Sequence, residues 1–246
     1  MTVPRLRMFA GPNGSGKSTL KTVVPAHILG HYLNPDEIEA GIRATGEFDL
    51  TTFGLPIDGR DAGEYFRQSA FLTSAGLASG VNGIGFGQHR LDFLTVSVNA
   101  YFASVLSDFL RRAMLANRQS FSFETVMSSP DKVELLKTAR ASGYRTYLYF
   151  VATDDPAVNV SRVRLRVVAG GHDVPADKIV TRYHRSLGLL PEAVRHTDRA
   201  YLFDNTGSAL VWLAEVTNGT ESELKAEQLP TWFRAAVWDR LAEGTH

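Results

Sequence analysis

The chain has 246 residues, of which 44% are hydrophobic and 21% are charged, an ordinary balance for a protein with one large α/β domain. Acidic and basic residues are equal at 26 each, so we expect no general attraction to nucleic acid or to an anionic membrane. The absence of cysteine excludes disulfides, thiol catalysis and Cys-ligated zinc, and the lack of a long apolar run or of a secretory signal predicts a cytoplasmic protein.

The start of the chain predicts a strand, a glycine-rich loop and a helix in immediate succession. Arg5–Ala10 (RLRMFA) has the apolar character of a short buried strand, and Lys17–Ala26 follows the loop as a helix. His31–Asn34 then predicts a second strand. The next helix begins directly afterwards, with Asn34 as its cap and Pro35 in its first turn.

The segment 47–97 shows no clear alternation of strand and helix. Five glycines crowd its stretch 76–87, which lowers the propensity for either regular structure. A segment of this length between core elements is usually functional or disordered. We therefore interpret 47–97 as a glycine-rich insertion or a substrate-side segment, followed by a strong helix over Asn99–Ala116.

The second half of the chain alternates between strands and helices. The predicted strands are Phe121–Val126, Tyr144–Thr153, Ala200–Asn205 and Leu210–Thr217. The predicted helices are Ser129–Ser142, Asp154–Gly170, Pro175–Leu190 and an amphipathic tail helix over Glu223–Leu241. This order predicts a single domain over 1–246 with a mostly parallel sheet and helices on both faces.

The strongest functional signal is the run 11–18 (GPNGSGKS), which satisfies G-x-x-x-x-G-K-[ST] between a strand and a helix. Its backbone N–H groups would form a nest for phosphate, Lys17 would place a charge at the β/γ-phosphates, and Ser18 would bind Mg²⁺. The motif predicts ATP and Mg²⁺ as cofactors but does not separate a kinase from an ATPase or GTPase. The residues predicted to bind the nucleotide here are Gly11, Asn13, Gly14, Ser15, Gly16, Lys17, Ser18 and Thr19.

Polar side chains at predicted strand ends are the next candidates, because ligands gather at the carboxyl ends of parallel strands. Asp36 could orient and deprotonate an acceptor hydroxyl, or simply favour the start of its helix. Glu124 and Thr125 could face Mg²⁺ or the substrate, although a Glu there could also cap the strand. Asn205 could line an adenine pocket or make a turn.

A set of arginines in the two helices after residue 154 could neutralise charge on a transferred phosphate, as an arginine finger does. The alternative is a solvated basic face. Gly170-Gly171-His172, between the two helices, could act as their hinge. The arginines in question are Arg162, Arg164, Arg166, Arg182 and Arg185.

Several blocks of the chain, in the same order, resemble the zeta toxin family of P-loop kinases. They are residues 9–19 (FAGPNGSGKST), 34–38 (NPDEI), 123–128 (FETVMS), 170–175 (GGHDVP), 182–187 (RYHRSL) and 203–205 (FDN). The resemblance implies a nucleoside-kinase-like P-loop NTPase fold with an arginine-bearing helical lid, here 156–190. It also implies transfer of phosphate to a sugar-nucleotide such as UDP-N-acetylglucosamine, with a possible inhibitory antitoxin protein as partner.

The resemblance also implies roles for individual residues. Asp36 matches the family's catalytic base, and Lys17 and Ser18 match its phosphate and metal positions. Glu124 and Thr125 match a strand-end pair near the substrate, with Glu124 also a candidate for the metal. Among the lid arginines, Arg166 is the first choice and Arg164 the second for the transferred phosphate, and Arg182 is a candidate for substrate binding.

Two other functions stay open at this point. One is a nucleotide or polynucleotide kinase, for which the local cluster Arg111, Arg112 and Arg118 could contact a phosphate backbone. The other is a nucleotide-gated ATPase or regulatory module that binds ATP but phosphorylates no acceptor. Asp36 distinguishes them, because a kinase needs this carboxylate for turnover and a switch does not.

Overall fold

The computed structural model describes residues 2–171 and 173–240, and strands and helices alternate over most of this range. The strands are β1 (Arg5–Ala10), β2 (His31–Leu33), β3 (Glu47–Asp49), β4 (Gly85–Phe86), β5 (Arg90–Asp92), β6 (Phe121–Thr125), β7 (Arg145–Ala152), β8 (Arg199–Asp204), β9 (Val211–Thr217) and β10 (Glu221–Leu224). The α-helices are α1 (Lys17–Thr22), α2 (Ala26–Leu29), α3 (Pro35–Thr45), α4 (Gly59–Arg67), α5 (Ala70–Ser74), α6 (Ala100–Ala116), α7 (Asp131–Ala141), α8 (Pro156–Val168), α9 (Ala176–Arg195) and α10 (Thr231–Phe233).

The chain divides into two compact units, whereas the sequence pattern predicts one domain over residues 1–246. The first, which we call the core unit, combines residues 1–30 with 122–246. The second, the inserted unit, is the continuous stretch 31–121. The inserted unit therefore contains the whole of segment 47–97 together with the helices on either side of it.

The core unit is built on a twisted, mostly parallel sheet in the order β10-β9-β8-β7-β1-β6. Strand β7 pairs in parallel with β1 on one side and with β8 on the other, and β9 and β10 add an antiparallel edge. Leu6, Leu148, Phe150 and Leu202 are fully buried in it. The α/β fold with a mostly parallel sheet is thereby confirmed.

The parallel pairing decides where the functional side chains of the core unit can lie. Because β1, β7 and β8 run in the same direction, their carboxyl ends share one edge of the sheet. The glycine loop follows β1, Thr153 follows β7 and Asn205 follows β8. These three segments are consequently neighbours, although they are far apart in the sequence.

The inserted unit contains α3 to α6 and a small antiparallel sheet in the order β3-β5-β4. The segment 47–97 thus contains short helices and strands, although its sequence shows no clear alternation of the two. Its strands have only two or three residues each, too few for the alternation that marks a strand in sequence. Several of its glycines allow close packing: a Cβ at Gly59 would lie 1.9 Å from the carbonyl oxygen of Gly87.

Two helix boundaries also differ from the sequence-based prediction. The first helix ends at Thr22 rather than near residue 26, and a separate short helix, α2, follows it. The predicted tail helix over Glu223–Leu241 is wrong at its start, because Glu221–Leu224 pairs with β9 as β10. Helical structure begins only after Pro230, in α10 and a π-helical turn that ends at Trp238, and Leu241 lies outside the described residues.

No helix in the described part of the chain is long and apolar enough to cross a membrane.

Candidate functional site

The glycine loop between β1 and α1 depends on left-handed backbone that favours glycine. The φ angles of Gly11, Gly14 and Gly16 are 147°, 76° and 102°. A Cβ at these positions would lie 2.1 Å from the Val151 carbonyl oxygen, 2.6 Å from the Asn159 carbonyl oxygen and 2.1 Å from the Asn205 side-chain nitrogen, respectively. The loop is thus held against three neighbouring segments of the core unit with no space for side chains at its glycines.

Two polar atoms of the loop are buried without a partner, and one of them, the Ser15 hydroxyl, fits the binding of an anionic ligand. The side-chain oxygens of Asn13 and Ser15 are buried and have no hydrogen-bond partner within residues 2–171 and 173–240. Because an unsatisfied buried polar atom costs free energy, such atoms usually indicate a missing partner. The Ser15 hydroxyl, the glycine backbone and the N-terminus of α1 can all donate to the phosphates of a nucleotide, whereas the Asn13 side-chain oxygen can only accept a hydrogen bond.

Lys17 joins the loop to the end of β6. Its side chain is only 9% exposed, and its Nζ donates to the carbonyl oxygens of Gly11 (2.9 Å) and Pro12 (3.1 Å). The same Nζ lies 3.9 Å from Oε1 of Glu124, whose side chain is 13% exposed. The structure therefore brings the predicted phosphate-binding lysine together with the predicted strand-end carboxylate.

Of the other residues predicted near the phosphates, two are exposed to solvent and one forms a hydrogen bond with the backbone. Ser18 and Thr19 are exposed in the first turn of α1. The Thr125 hydroxyl accepts a 3.0 Å hydrogen bond from the backbone N–H of Met127. Met127 has a φ of 52°, a conformation rare outside glycine, so this hydrogen bond holds a strained turn directly after β6.

Two asparagines form a layer behind the loop. The side-chain nitrogen of Asn159, in the first turn of α8, donates to the carbonyl oxygen of Asn13 at 2.6 Å. That of Asn205 donates to the carbonyl oxygen of Ser15 at 2.8 Å. Asn159 could not be found from the sequence, because an asparagine inside a helix has no pattern of its own. For Asn205 the sequence left two roles open, in an adenine pocket or in a turn, and the structure places its side chain on the loop backbone.

Of the arginines on α8 and α9, one stabilises a turn of the core unit and the others are exposed or partly exposed. Arg162 donates to the carbonyl oxygens of Asn205 (2.6 Å) and Gly207 (3.1 Å), and so fixes the turn after β8. Arg164 and Arg166 are exposed on α8, and Arg182 is partly exposed on α9. Their contact with a transferred phosphate therefore stays a prediction. The predicted hinge begins where α8 ends, and His172 lies outside the described residues.

Asp36 belongs to the inserted unit. It occupies the first turn of α3, where it is exposed, and its backbone N–H donates to the side chain of the capping Asn34 at 2.9 Å. Asn34 caps the helix and Pro35 lies in its first turn, as the sequence predicts. The residues that flank Asp36 line a cavity of about 450 Å³, which is large enough for a small molecule. The lining residues are Tyr32, Asn34, Glu37, Ile38, Gly41, Thr45, Glu47, Phe48, Asp49, Thr52 and Arg90.

Solved structures share this fold at low sequence identity. One, from a study of the PezAT chromosomal toxin-antitoxin system of Streptococcus pneumoniae, has a TM-score of 0.51 at 12% identity and covers 99% of this chain and 85% of the other. Another, of AvrRxo1-ORF1:-ORF2 with ATP, also has a TM-score of 0.51, at 13% identity, and covers 91% of this chain. This chain spans 61% of that second protein.

Sequence comparison identifies a relative and a family. A stretch of 63 residues is 29% identical to an uncharacterised protein of Haemophilus influenzae, of which this chain spans 45%. The family model described as Zeta toxin matches residues 94–217, half of the chain. The matched range contains Glu124 and Thr125 at the end of β6 and both helices that carry the arginines, and the phosphate loop precedes it. The chain therefore belongs to the zeta toxin family of P-loop kinases.

Proposed function

We propose that the protein transfers the γ-phosphoryl group of ATP to a hydroxyl group of a small molecule in a Mg²⁺-dependent reaction. The observation that carries this proposal is the phosphate loop itself, with a buried Ser15 hydroxyl that has no hydrogen-bond partner among the described residues and with Lys17 3.9 Å from Glu124. Membership of the zeta toxin family supports it. So does the shared fold with a protein whose structure is described as containing ATP.

Lys17, Ser18 and Glu124 would have separate tasks in this reaction. Bound Mg²⁺ and ATP would supply the phosphoryl group and neutralise charge on its oxygens. Lys17 would exchange its contacts with the loop carbonyls for phosphate oxygens, and its charge would stabilise the transition state. Ser18, exposed at the start of α1, and Glu124 would hold the metal or its water shell.

The acceptor would be bound by the inserted unit. Asp36 is exposed at the N-terminus of α3 and is our candidate for the base that orients and deprotonates the acceptor hydroxyl. The adjacent cavity is lined by the aromatic rings of Tyr32 and Phe48 and by Arg90, whose Nη1 lies 2.8 Å from Oε2 of Glu47, another lining residue. The two rings could stack on a base, and on this ground together with the family we propose a UDP-sugar such as UDP-N-acetylglucosamine as the acceptor.

The family also suggests a setting for this activity. One structural neighbour comes from a study of a toxin-antitoxin system. We propose that this protein acts as the toxin of such a pair and that an antitoxin protein inhibits it. Expression of the chain in bacteria with and without the neighbouring genes would test this part of the proposal.

The kinase proposal is tested by incubating the purified protein with Mg²⁺ and γ-labelled ATP against UDP-sugars, nucleosides and short oligonucleotides. We expect label on a UDP-sugar. Asp36→Asn should lower the transfer rate by about 10²- to 10⁴-fold, the usual contribution of a general base, with nearly unchanged ATP affinity. Lys17→Ala should lower both transfer and ATP affinity.

The matched control is Asp61→Asn, because Asp61 is also an exposed aspartate in the first turn of a helix of the inserted unit. It should transfer phosphate at the wild-type rate. Normal transfer by Asp36→Asn would show that the base is another residue. Label on an oligonucleotide would point to a polynucleotide kinase, and ATP binding with no labelled acceptor would favour a nucleotide-gated switch.

A further inference from the structure

The phosphate loop is held from outside by two side-chain amides that come from different elements. Asn159 of α8 donates to the carbonyl oxygen of Asn13 at 2.6 Å. Asn205, directly after β8, donates to the carbonyl oxygen of Ser15 at 2.8 Å. Each of the two accepting carbonyl groups belongs to the peptide directly before a glycine, Gly14 in one case and Gly16 in the other.

These hydrogen bonds fix the direction of two peptide N–H groups. A trans peptide is planar, and its C=O and N–H point to opposite sides; the described residues contain no cis peptide. When the Asn13 carbonyl points to Asn159, the N–H of Gly14 must point away from it. For the same reason, the Ser15 carbonyl on Asn205 turns the N–H of Gly16 away from that asparagine.

Such a restraint matters because the peptides adjoin glycines. Gly14 and Gly16 have no Cβ, so little steric resistance opposes a flip of the peptide in front of each. A flipped peptide would present a carbonyl oxygen where an N–H is needed to bind phosphate. The free loop would then lose affinity in proportion to the fraction of flipped conformations.

The asparagines are themselves anchored. The Thr153 hydroxyl, after β7, hydrogen-bonds the side-chain oxygen of Asn159, and the carbonyl oxygen of Thr153 accepts from the Tyr183 hydroxyl of α9 at 2.6 Å. Thr153 and Asn159 are fully buried. On the other side, the backbone carbonyl of Asn205 accepts from Arg162 at 2.6 Å.

We infer that Asn159 and Asn205 are positioning residues that hold the N–H groups of Gly14 and Gly16 in the orientation that binds the phosphates of the nucleotide. The inference rests on the proposed function only in taking the loop as the nucleotide site. It requires no acceptor and no transfer. It predicts that the two asparagines set the affinity for phosphate-bearing ligands without contacting the base or the acceptor.

The test is calorimetric titration of the full chain with MgATP, and with inorganic tripolyphosphate, which has no base or sugar. Asn159→Ala and Asn205→Ala should each raise both dissociation constants by about three- to tenfold, the range for a lost hydrogen bond. Asn159→Asp and Asn205→Asp keep the shape of the side chain but cannot donate, and they should raise both constants further.

Thr197→Val is the matched control. It removes a buried side-chain hydrogen bond of the same unit, from the Thr197 hydroxyl to the carbonyl oxygen of Val194 at 2.8 Å, just before β8 begins. It should lower the unfolding temperature and leave both dissociation constants unchanged. If the Asn159 variants do not fold, the Asn205 variants carry the test.

Unchanged dissociation constants in folded alanine variants would overturn the inference. So would an equal loss of affinity in Thr197→Val, because general loosening would then explain the effect. ATP binding that depends on both asparagines but leads to no transfer would support the inference and contradict the kinase proposal. Normal transfer with unchanged affinity in the variants would do the reverse.

Discussion

Gly14 of the phosphate loop is constrained by two independent features. Its φ of 76° is unfavourable for any residue with a Cβ, and a Cβ there would lie 2.6 Å from the carbonyl oxygen of Asn159. That oxygen is backbone in the first turn of α8 and cannot rotate away. The sequence motif reflects the first constraint, and the proximity of α8 adds the second.

We therefore predict that Gly14→Ala displaces the loop and lowers ATP affinity at least about tenfold, since the clash and the strained φ would together cost a few kcal/mol. Gly188→Ala is the control. Gly188 lies inside α9 with no atom within 4 Å of a Cβ, so alanine should raise the free energy of unfolding by about 0.5–1 kcal/mol. Calorimetric titration and urea unfolding would measure both effects, and tight ATP binding by Gly14→Ala would contradict the assigned loop geometry.

At the scale of an element, α6 is fixed in the inserted unit by a polar network as well as by its apolar face. Asp108 accepts from Arg111 at 2.8 Å and from Arg112 at 3.0 Å, and the Tyr65 hydroxyl of α4 also hydrogen-bonds it. Burial raises the pKa of Asp108, but the charge of Arg111 and these hydrogen bonds outweigh it and hold the pKa well below its ordinary value. Burial, with the contact to Asp108, raises the pKa of Tyr65 to about 12.

This network predicts a pH-dependent contribution to stability. Because the pKa of Asp108 is lower in the folded state, its stabilisation is fully present above about pH 4 and is lost as the pH falls through the folded-state pKa. Asp108→Asn should therefore destabilise the protein at neutral pH, and the difference from wild type should shrink below about pH 4. Urea unfolding between pH 3 and 7 would measure it. Asp61→Asn is the control, and a difference that stays constant with pH would contradict the network's role.

At the scale of the whole molecule, the chain contains two compact units, and each has fully buried apolar residues. Phe9 and Phe150 are fully buried in the core unit, and Leu106 and Leu110 are fully buried on α6 of the inserted unit. The residues of the phosphate loop and of the layer behind it all belong to the core unit. The core unit is discontinuous in sequence, and the inserted unit is one uninterrupted stretch.

We predict that saturating MgATP protects the amides of the core unit against hydrogen exchange and leaves those of α6 in the inserted unit nearly unchanged. At 100 times the dissociation constant, a ligand stabilises the unit that binds it by about 2.7 kcal/mol, which is about a hundredfold in protection. Exchange measured by mass spectrometry with Lys17→Ala as the control would test this. Equal protection of both units would show that they open together.

Several features of this protein could be predicted from local patterns alone. The phosphate loop, the strand before it and the Asn34-Pro35 helix start each depend on residues close in sequence. The buried strands β1 and β7 were predicted to within about a residue, because continuous apolar and β-branched runs mark central strands. The family resemblance, carried by separate blocks in the right order, is confirmed by the match over residues 94–217.

Other features were decided only by tertiary structure. Asn159 and Asn205 reach the phosphate loop across 146 and 190 residues of sequence, and no local pattern distinguishes an asparagine that makes such a contact. The short strands of the inserted unit form because they pair with each other, which overrides the weak propensity of a glycine-rich segment. Glu221–Leu224 becomes a strand for the same reason, since β9 offers it an edge. The sequence by itself thus predicted a nucleotide-binding loop, without separating a kinase from an ATPase or GTPase. The packing of distant segments determined how the loop is held. Contacts between residues far apart in sequence do not depend on the local propensity of either segment, so no local sequence pattern predicts them.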